Sequence, residues 1–368
     1  MASFRKRGNT WQYRIKHNGE EISKSGFRTK TEAKVAADKV EYELNIGINI
    51  PKGDQLFVDY YKNWIKTYKL GVHSVDTDRF YTNAVKLVEE YFPNRKLKDI
   101  TKDDYQRFLN EYAGSGETML AKATVKKTHQ KIGAALKDAQ ANGYIAHNPT
   151  YKAIIRGKDP TKESEKYLHE SESKVLLNNL LDGIQLRYTT RYMIILQLAT
   201  GMRIGEIMAL QFKDFNFLNN RVDINKSWDY KHEREFKSTK NKETRTISVD
   251  KQTMDIMKEF YDYQLNQKIQ DNRQRMFAVK GKVPSINAIN NTLERACVRS
   301  KIKRVTSHAL RHTHASLLIL NDVNLAYISK RLGHKDITTT SEIYAHVLNE
   351  LEDKSEKESA DVFYNIYS

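Results

Sequence analysis

Four short stretches in the second half of the chain decide its fold: TGMRIGE at residues 200–206, HALRH at 308–312, LGH at 332–334 and YAH at 344–346. They contain Arg203, His308, Arg311, His334 and Tyr344. A guanidinium binds phosphate oxygens bidentately, a tyrosine oxygen can attack phosphorus, and histidine can hydrogen-bond the phosphate or move protons. This set of residues indicates phosphoryl transfer through a phosphotyrosine.

Length and composition limit the number of domains, the class of partner and the cellular compartment. Its 368 residues exceed one typical domain, and we expect three. Lysine and arginine number 62 against 46 acidic residues, a net charge of +16, which favours a polyanionic partner such as nucleic acid. The sequence contains no apolar run long enough to predict a membrane span. Its single cysteine, Cys297, allows no disulfide framework within one chain. We therefore expect a cytoplasmic protein.

The first 50 residues predict a small basic module. Trp11, Tyr13 and Ile15 alternate, HNG at 17–19 is typical of a hairpin turn, and residues 31–44 predict a helix. We expect a three-stranded sheet on one helix. The candidate DNA-binding residues are its basic side chains Arg5, Lys6, Arg14, Lys16, Lys24 and Arg28. The alternative is a solvated charged face on a protein-binding module.

Residues 54–158 predict a helical bundle after a linker at 46–53. Four helices are expected over 55–69, 77–92, 102–112 and 118–142, with aromatic residues such as Tyr60, Tyr61 and Trp64 in the core beside Leu56. A basic helix can lie along a phosphate backbone or in a major groove. The fourth helix therefore supplies further DNA-binding candidates: Lys122, Lys126, Lys127 and Lys131.

Residues 166–368 follow a polar connector at 157–166 and predict a mixed α/β domain. Helices are expected over 193–199 and 204–210, and strands over 221–224, 235–238 and 245–249. Ser307 is placed to cap a helix that begins at His308, and the segment 336–340 is expected to connect to a short helix bearing Tyr344. The fold class is thus mainly α with small β elements, in several domains.

The motifs resemble those of the tyrosine recombinases, the family of phage and mobile-element integrases, including elements of Gram-positive bacteria. The resemblance covers the C-terminal half of the chain. It implies that Tyr344 is the nucleophile, that Arg203 and Arg311 clamp the phosphate, and that His308 and His334 bind it or assist proton transfer. It also implies a lysine general acid on the hairpin at residues 237–245. Lys240 is our choice and Lys242 the alternative.

The resemblance further implies an arm-type DNA-binding module at residues 1–50, a core-binding domain at 54–158 and a catalytic domain at 166–368. It implies a homo-tetramer on double-stranded DNA with core-type and arm-type sites, aided by an excisionase and a host DNA-bending protein. The protein would integrate and excise a mobile element in the bacterial cytoplasm, on the nucleoid. Because the phosphodiester energy is conserved in a phosphotyrosyl link, no cofactor is expected.

Two alternative functions stay open at this point. A non-catalytic DNA-binding regulator of recombinase descent and a type IB topoisomerase would share much of this sequence pattern. His308 and His312 lie one helical turn apart as metal ligands could, but no carboxylate or cysteine accompanies them, so we expect no metal site and assign His312 and His314 to packing or hydrogen bonding.

The tail after His346 turns acidic and then apolar, and we expect it to dock either on a neighbouring protomer or on its own domain.

Overall fold

The structure is a computed structural model that describes residues 2–17, 19–45, 47, 50–72, 75–159, 167–239, 243–267 and 271–350. The chain divides into two compact units, residues 1–160 and 161–368. The division into three domains, with boundaries near residues 50 and 160, stays a prediction. The expected tail contacts lie outside the described residues.

The chain begins with an antiparallel sheet in the order β1-β2-β3. Its strands are β1 (Ser3–Arg7), β2 (Thr10–His17) and β3 (Glu20–Phe27). Side chains alternate along a strand, so Tyr13 and Ile15 of β2 share one face and are buried with Ala37 and Leu44 of helix α1 (Lys30–Asn45). The predicted sheet on one helix is confirmed.

Among the described residues of the first unit, five α-helices follow: α2 (Ile50–Gly53), α3 (Phe57–Tyr68), α4 (Val75–Tyr91), α5 (Lys102–Ala113) and α6 (Lys122–Ala141). Tyr60, Tyr61 and Trp64 are buried as predicted, while Leu56 is only half-buried. The Trp64 indole donates a 2.7 Å hydrogen bond to Asp138 of α6. The four long helices therefore share one aromatic core.

Two boundaries in this unit differ from the prediction. Helix α2 lies inside the expected linker, and α6 begins at Lys122 rather than near 118. The second difference has a clear cause, because Leu120 donates its N–H to the Ala113 carbonyl and accepts from the Lys158 N–H, each at 2.8 Å. These long-range bonds keep the chain before Lys122 out of the helix.

The described part of the second unit contains eight α-helices: α7 (Glu170–Leu181), α8 (Thr189–Thr200), α9 (Ile204–Ala209), α10 (Lys251–Leu265), α11 (Ile286–Arg299), α12 (Ser307–Leu320), α13 (Leu325–Leu332) and α14 (Ile337–Glu350). Helix α8 is central: it packs against α7, α10, α11 and α12, and its Met193, Ile194 and Leu196 are fully buried. The run YMIIL at residues 192–196 is apolar on every side of the helix, which is typical of a helix in such a position.

Short strands lie between α9 and α10. One antiparallel sheet has the order β4-β5-β8, from β4 (Phe215–Asn216), β5 (Arg221–Ile224) and β8 (Arg245–Ser248), and β6 (Ser227–Trp228) pairs with β7 (Phe236–Lys237). The three predicted strands are present. The two that were not predicted, β4 and β6, have two residues each and are too short to show alternation.

Two details beside the sequence motifs correct the prediction. Ser307 is the first residue of α12 and not its cap, since its hydroxyl donates a 2.8 Å hydrogen bond to Oε1 of Gln197. Helix α14 begins at Ile337, inside the segment expected to be a connector, and it is interrupted at Tyr344, where φ is −110° and ψ is 16°. The kink changes the direction of the helix at the predicted nucleophile.

Candidate active site

Arg203 lies at the junction of α8 and α9. Gly201 ends α8 in the left-handed conformation, with φ of 67°, and Arg203 precedes the first turn of α9. Its backbone N–H donates to Glu206 Oε2 at 2.9 Å and its Nη1 to Glu206 Oε1 at 3.1 Å. The TGMRIGE stretch thus forms a sharp turn that directs a half-buried guanidinium inward, and Glu206 supports it.

Arg245, the first residue of β8, forms the stronger contact with the same carboxylate. Its Nη1 and Nη2 reach the two oxygens of Glu206 at 3.1 and 2.7 Å, and the Glu206 side chain is 1% exposed. Burial alone would raise the pKa of this carboxyl, but the hydrogen bonds and charge of Arg245, with Arg203, hold it below its usual value. Glu206 is therefore an anion shared by two arginines. Arg245 had been assigned only to a strand.

Three arginines converge on the C-terminal end of α13. Arg245 Nε donates to the Arg331 carbonyl at 2.8 Å, Arg311 Nη2 to the Leu332 carbonyl at 2.8 Å, and Arg203 Nη2 to the Gly333 carbonyl at 3.0 Å. The last carbonyls of a helix lack partners within it and carry partial negative charge, so they attract cations. The helix end immediately before His334 therefore fixes all three guanidiniums.

Gly333 makes this convergence possible. It adopts the left-handed conformation, with φ of 67°, which ends α13. A Cβ atom at this position would lie 2.9 Å from Arg245 Nη1 and 3.2 Å from Arg245 Cζ. The absence of a side chain thus leaves room for the Arg245 guanidinium as well as allowing the backbone conformation.

Arg311 is the most enclosed cation of the site. Besides the Leu332 carbonyl, it binds the Gly201 carbonyl through Nη1 at 2.8 Å. Burial, with the nearby charge of Arg203, lowers the pKa of its guanidinium to about 9, so Arg311 remains cationic at neutral pH. It is held rigidly by two carbonyl oxygens.

His334 lies near Arg311 and Arg203, and His308 lies one turn before Arg311 on α12. His308 is exposed on the first turn of α12, while His334 is half-buried and its Nδ1 lies 2.7 Å from Thr340 Oγ1. Burial, and then the charges of Arg311 and Arg203, lower the pKa of His334 to about 4. His334 is therefore a neutral imidazole at pH 7, suited to hydrogen bonding rather than to supplying positive charge.

Tyr344 is buried, with 1% of its surface exposed. Its Oη lies 3.2 Å from His312 Nδ1, and the two ring centroids are 5.7 Å apart. Burial raises the pKa of the phenol to about 12, although the charge of Arg311 opposes the shift. The predicted nucleophile therefore lies beside Arg311 but in its neutral form. His312, assigned from sequence to packing or hydrogen bonding, contacts the predicted nucleophilic oxygen.

A second buried network links α13 and α12 to the C-terminal end of α8. Arg331 Nε donates to His314 Nε2 at 3.0 Å, and His314 Nδ1 donates to the Leu198 carbonyl at 2.9 Å. Burial, together with the charge of Arg331, lowers the pKa of His314 to about 3. The prediction that His314 is a packing or hydrogen-bonding residue agrees with this geometry, whereas Arg331 had no assigned role.

Lys240 and Lys242 lie outside the described residues. On either side of them, Thr239 Oγ1 donates to the Glu243 carbonyl at 2.6 Å, and Arg245 follows at the start of β8. The two candidate lysines are therefore within five residues of an arginine of the site.

The basic candidates of the first unit lie mostly at its surface. Arg5, Lys6, Lys16, Lys24 and Arg28 are exposed, and so are Lys122, Lys126 and Lys127 of α6, while Arg14 is half-buried. Lys131 is half-buried with its Nζ 4.4 Å from the centre of the Tyr81 ring. These side chains could meet a phosphate backbone without rearrangement of the core.

Within the described ranges, no group of three or more histidine, cysteine or acidic side chains is arranged to hold a metal ion. None of the helices in those ranges combines the length and the apolar character needed to cross a bilayer.

Comparison with known proteins agrees with this geometry. The model of the phage integrase family matches residues 166–350, about half of the chain, and that of the phage integrase N-terminal SAM-like domain matches residues 56–113. A tyrosine recombinase XerC-like protein of Caldanaerobacter subterraneus is 26% identical, with 90% of each chain covered. The integrase of Staphylococcus phage L54a is 29% identical over 76% of this chain and 86% of its own.

Solved structures of integrases share the fold. The Tn1549 transposon integrase in complex with a circular intermediate DNA superposes with a TM-score of 0.67 at 17% identity, covering 83% of this chain and 99% of its own. A lambda integrase tetramer bound to a Holliday junction gives a TM-score of 0.58 at 19% identity, covering 91% and 96%. These structures show the shared fold, and the match to residues 166–350, with the related sequences, establishes that the chain belongs to the phage integrase family and is a tyrosine recombinase.

Proposed function

We propose that this recombinase cleaves and rejoins DNA at specific sites through a 3′-phosphotyrosyl intermediate formed by Tyr344. The observation that carries the assignment is the convergence of Arg203, Arg311, His334 and Tyr344 around the end of α13. In the cleavage step a bond forms between Tyr344 Oη and phosphorus, and the bond from phosphorus to the 5′ oxygen breaks. The free 5′-hydroxyl can later attack the phosphotyrosine of another strand, so no nucleotide cofactor is required.

Each side chain has a role that follows from its chemistry. Arg203 and Arg311 stabilise the negative charge that develops on the non-bridging oxygens, because preorganised cations in a water-poor site need little reorganisation. His308 and the neutral His334 hydrogen-bond the same oxygens. Lys240, or Lys242, protonates the departing 5′ oxygen. Positioning and charge are the main contributions of a protein to phosphoryl transfer, and these residues supply both.

The DNA partner is double-stranded attachment-site DNA. The basic surface of α6, with Lys122, Lys126, Lys127 and Lys131, would contact the core-type site. The N-terminal sheet, with Arg5, Lys6, Arg14, Lys16, Lys24 and Arg28, would contact arm-type sites. Lysine and arginine contacts to phosphate supply most of the affinity, so binding should weaken as salt is raised.

The proposal also covers the oligomeric state, the accessory proteins and the cellular location of the reaction. Four protomers would act on two DNA sites, as in the lambda integrase tetramer on a Holliday junction. An excisionase and a host DNA-bending protein would set the direction of the reaction. The mobile element would be integrated and excised in the bacterial cytoplasm, on the nucleoid.

A joining assay tests the function. A supercoiled plasmid that carries the attachment site of the mobile element is incubated in EDTA with a linear duplex that carries the host site, and joined products are measured. We expect joined DNA that depends on both sites. Binding of both sites without cleavage would favour a DNA-binding regulator, and relaxation of any supercoiled plasmid without a site would favour a topoisomerase.

A further inference from the structure

Tyr344 cannot act as a nucleophile without losing its proton, and the site makes that loss difficult. With a pKa of about 12, the phenol is ionised in only about one molecule in 100,000 at pH 7. Arg311 favours the phenolate by its charge, but a guanidinium cannot accept a proton. The attack on phosphorus therefore requires a proton acceptor within reach of Tyr344 Oη.

His312 occupies the position that such an acceptor needs. Its Nδ1 is 3.2 Å from Tyr344 Oη, which is within the range for a catalytic hydrogen bond in a DNA-free enzyme. It follows Arg311 directly on α12, so the cation that stabilises the phenolate and the imidazole that faces the phenol lie on one rigid helix. The His308 ring packs edge-on against His312, with centroids 4.9 Å apart and planes at 83°, which restricts the orientation of the imidazole.

The other two histidines of the site are placed differently. His334 Nδ1 lies 2.7 Å from Thr340 Oγ1, and His308 is exposed at the first turn of α12. His312 is half-buried between His308 and Tyr344. These placements suit His308 and His334 to the phosphate and His312 to the nucleophile.

We propose that His312 is a catalytic residue, the general base that takes the proton from Tyr344 as it attacks phosphorus. The inference rests on the proposed function. The Oη–phosphorus bond forms, the bond to the 5′ oxygen breaks, the phenolic proton passes to His312 Nδ1, and the 5′ oxygen takes a proton from the lysine general acid. In the reverse step His312 returns the proton to the departing Tyr344.

The test separates the base from the acid by changing the leaving group. Nicked attachment-site duplexes are prepared with either the natural 5′ oxygen or a sulfur atom at the scissile position. A thiolate leaves without protonation, so sulfur should restore cleavage to a variant that lacks only the general acid. A variant that lacks the base should keep its deficit on both duplexes, since Tyr344 must still lose its proton.

The variants are His312→Asn, which can retain a hydrogen bond to Tyr344 but is not a base, His312→Ala, and a Lys240→Ala/Lys242→Ala double variant as the acid-deficient comparison. We expect single-turnover cleavage by His312→Asn to fall by about 100-fold on both duplexes. The lysine variant should recover on the sulfur duplex. Added imidazole should restore part of the activity of His312→Ala. Gel-shift binding and melting temperature confirm that each variant is folded.

Two results would overturn the inference. One is cleavage by folded His312→Asn within about twofold of the unmodified protein, which would reduce His312 to a packing residue. The other is full recovery of His312→Asn on the sulfur duplex, which would connect His312 to the leaving group. If the unmodified protein forms no adduct on either duplex, the proposed function itself fails, and that result is distinct from both.

Discussion

Arg245 and Glu206 form a bidentate ion pair, with oxygen–nitrogen distances of 3.1 and 2.7 Å, in which neither side chain is more than 8% exposed. The pair joins β8 to α9, the helix that follows Arg203. Because Glu206 also binds Arg203, Arg245 competes for the charge of this carboxylate and leaves Arg203 less fully neutralised. Under the proposed function, Arg245 is therefore a positioning residue for Arg203.

Replacing Arg245 with glutamine should reduce cleavage more than DNA binding. Glu206 would then pair with Arg203 alone and draw it away from the phosphate, and displacement of a catalytic group by about 1 Å can cost about 100-fold in rate. We expect single-turnover cleavage of a nicked duplex to fall by about 10–100-fold, with gel-shift affinity nearly unchanged.

The buried pair between Arg275 and Asp271 provides the control for that substitution. It is also bidentate, at 2.7 Å for both contacts, and its side chains are 2% and 5% exposed. Arg275→Gln should destabilise the fold similarly but leave the cleavage rate of the folded protein intact. Equal rate losses in the two variants would remove the special role of Arg245.

Replacing Gly333 with alanine should damage the site through two effects. The left-handed backbone conformation costs a residue with a side chain about 1–2 kcal/mol, and the new Cβ would also displace the Arg245 guanidinium. Gly281→Ala isolates the first effect, because Gly281 has a φ of 75° and nothing within 4 Å of its Cβ position. We expect similar losses of melting temperature but a loss of cleavage only in Gly333→Ala. Normal cleavage by Gly333→Ala would contradict the account.

The stability of the second unit should fall as pH is lowered from 7 to 5. His314 has a folded pKa of about 3, below its usual 6.5, so the unfolded chain binds more protons in this range and the unfolding free energy decreases. By pH 5 this histidine alone should cost about 2 kcal/mol. Urea titrations at both pH values measure the difference. Glutamine does not titrate, so between pH 7 and pH 5 the free energy of unfolding of His314→Gln should fall by about 2 kcal/mol less than that of the unmodified protein. An identical decrease in the two proteins would show that His314 is not responsible.

The lysine general acid can be assigned by a pair of single substitutions. Loss of strand cleavage in Lys240→Ala, with activity retained in Lys242→Ala, is the expected outcome, because a group that protonates the leaving oxygen contributes about 100-fold or more to the rate. Cleavage assays on the natural 5′-oxygen duplex measure both variants. The reverse pattern would assign the role to Lys242.

The sequence predicts the fold and the main cations of the site because both depend on local patterns. Tertiary contacts are not needed to recognise the apolar run of α8, the alternation in β2 or the short motifs around Arg203, Arg311 and Tyr344. Arg245 was missed because its partners Glu206 and Arg331 are 39 and 86 residues away in the chain. The contact of His312 with Tyr344 spans 32 residues and depends on the kink in α14.

The boundary errors have the same origin. A side-chain capping rule favoured Ser307 as the cap of a helix that begins at His308, but Ser307 is itself the first residue of α12 and its hydroxyl binds Gln197, 110 residues earlier. Helix α6 starts late because Lys158 pairs with Leu120. In each case a tertiary hydrogen bond replaced the local one on which the prediction depended.

Trapping of a covalent adduct tests the central claim most directly. Unmodified protein and Tyr344→Phe are incubated in EDTA with a nicked duplex spanning the attachment site, and denaturant-stable protein–DNA complexes are counted. The account predicts an adduct with the unmodified protein only, with normal DNA binding by both proteins. An adduct formed by Tyr344→Phe, or binding by both proteins without an adduct from either, would contradict it.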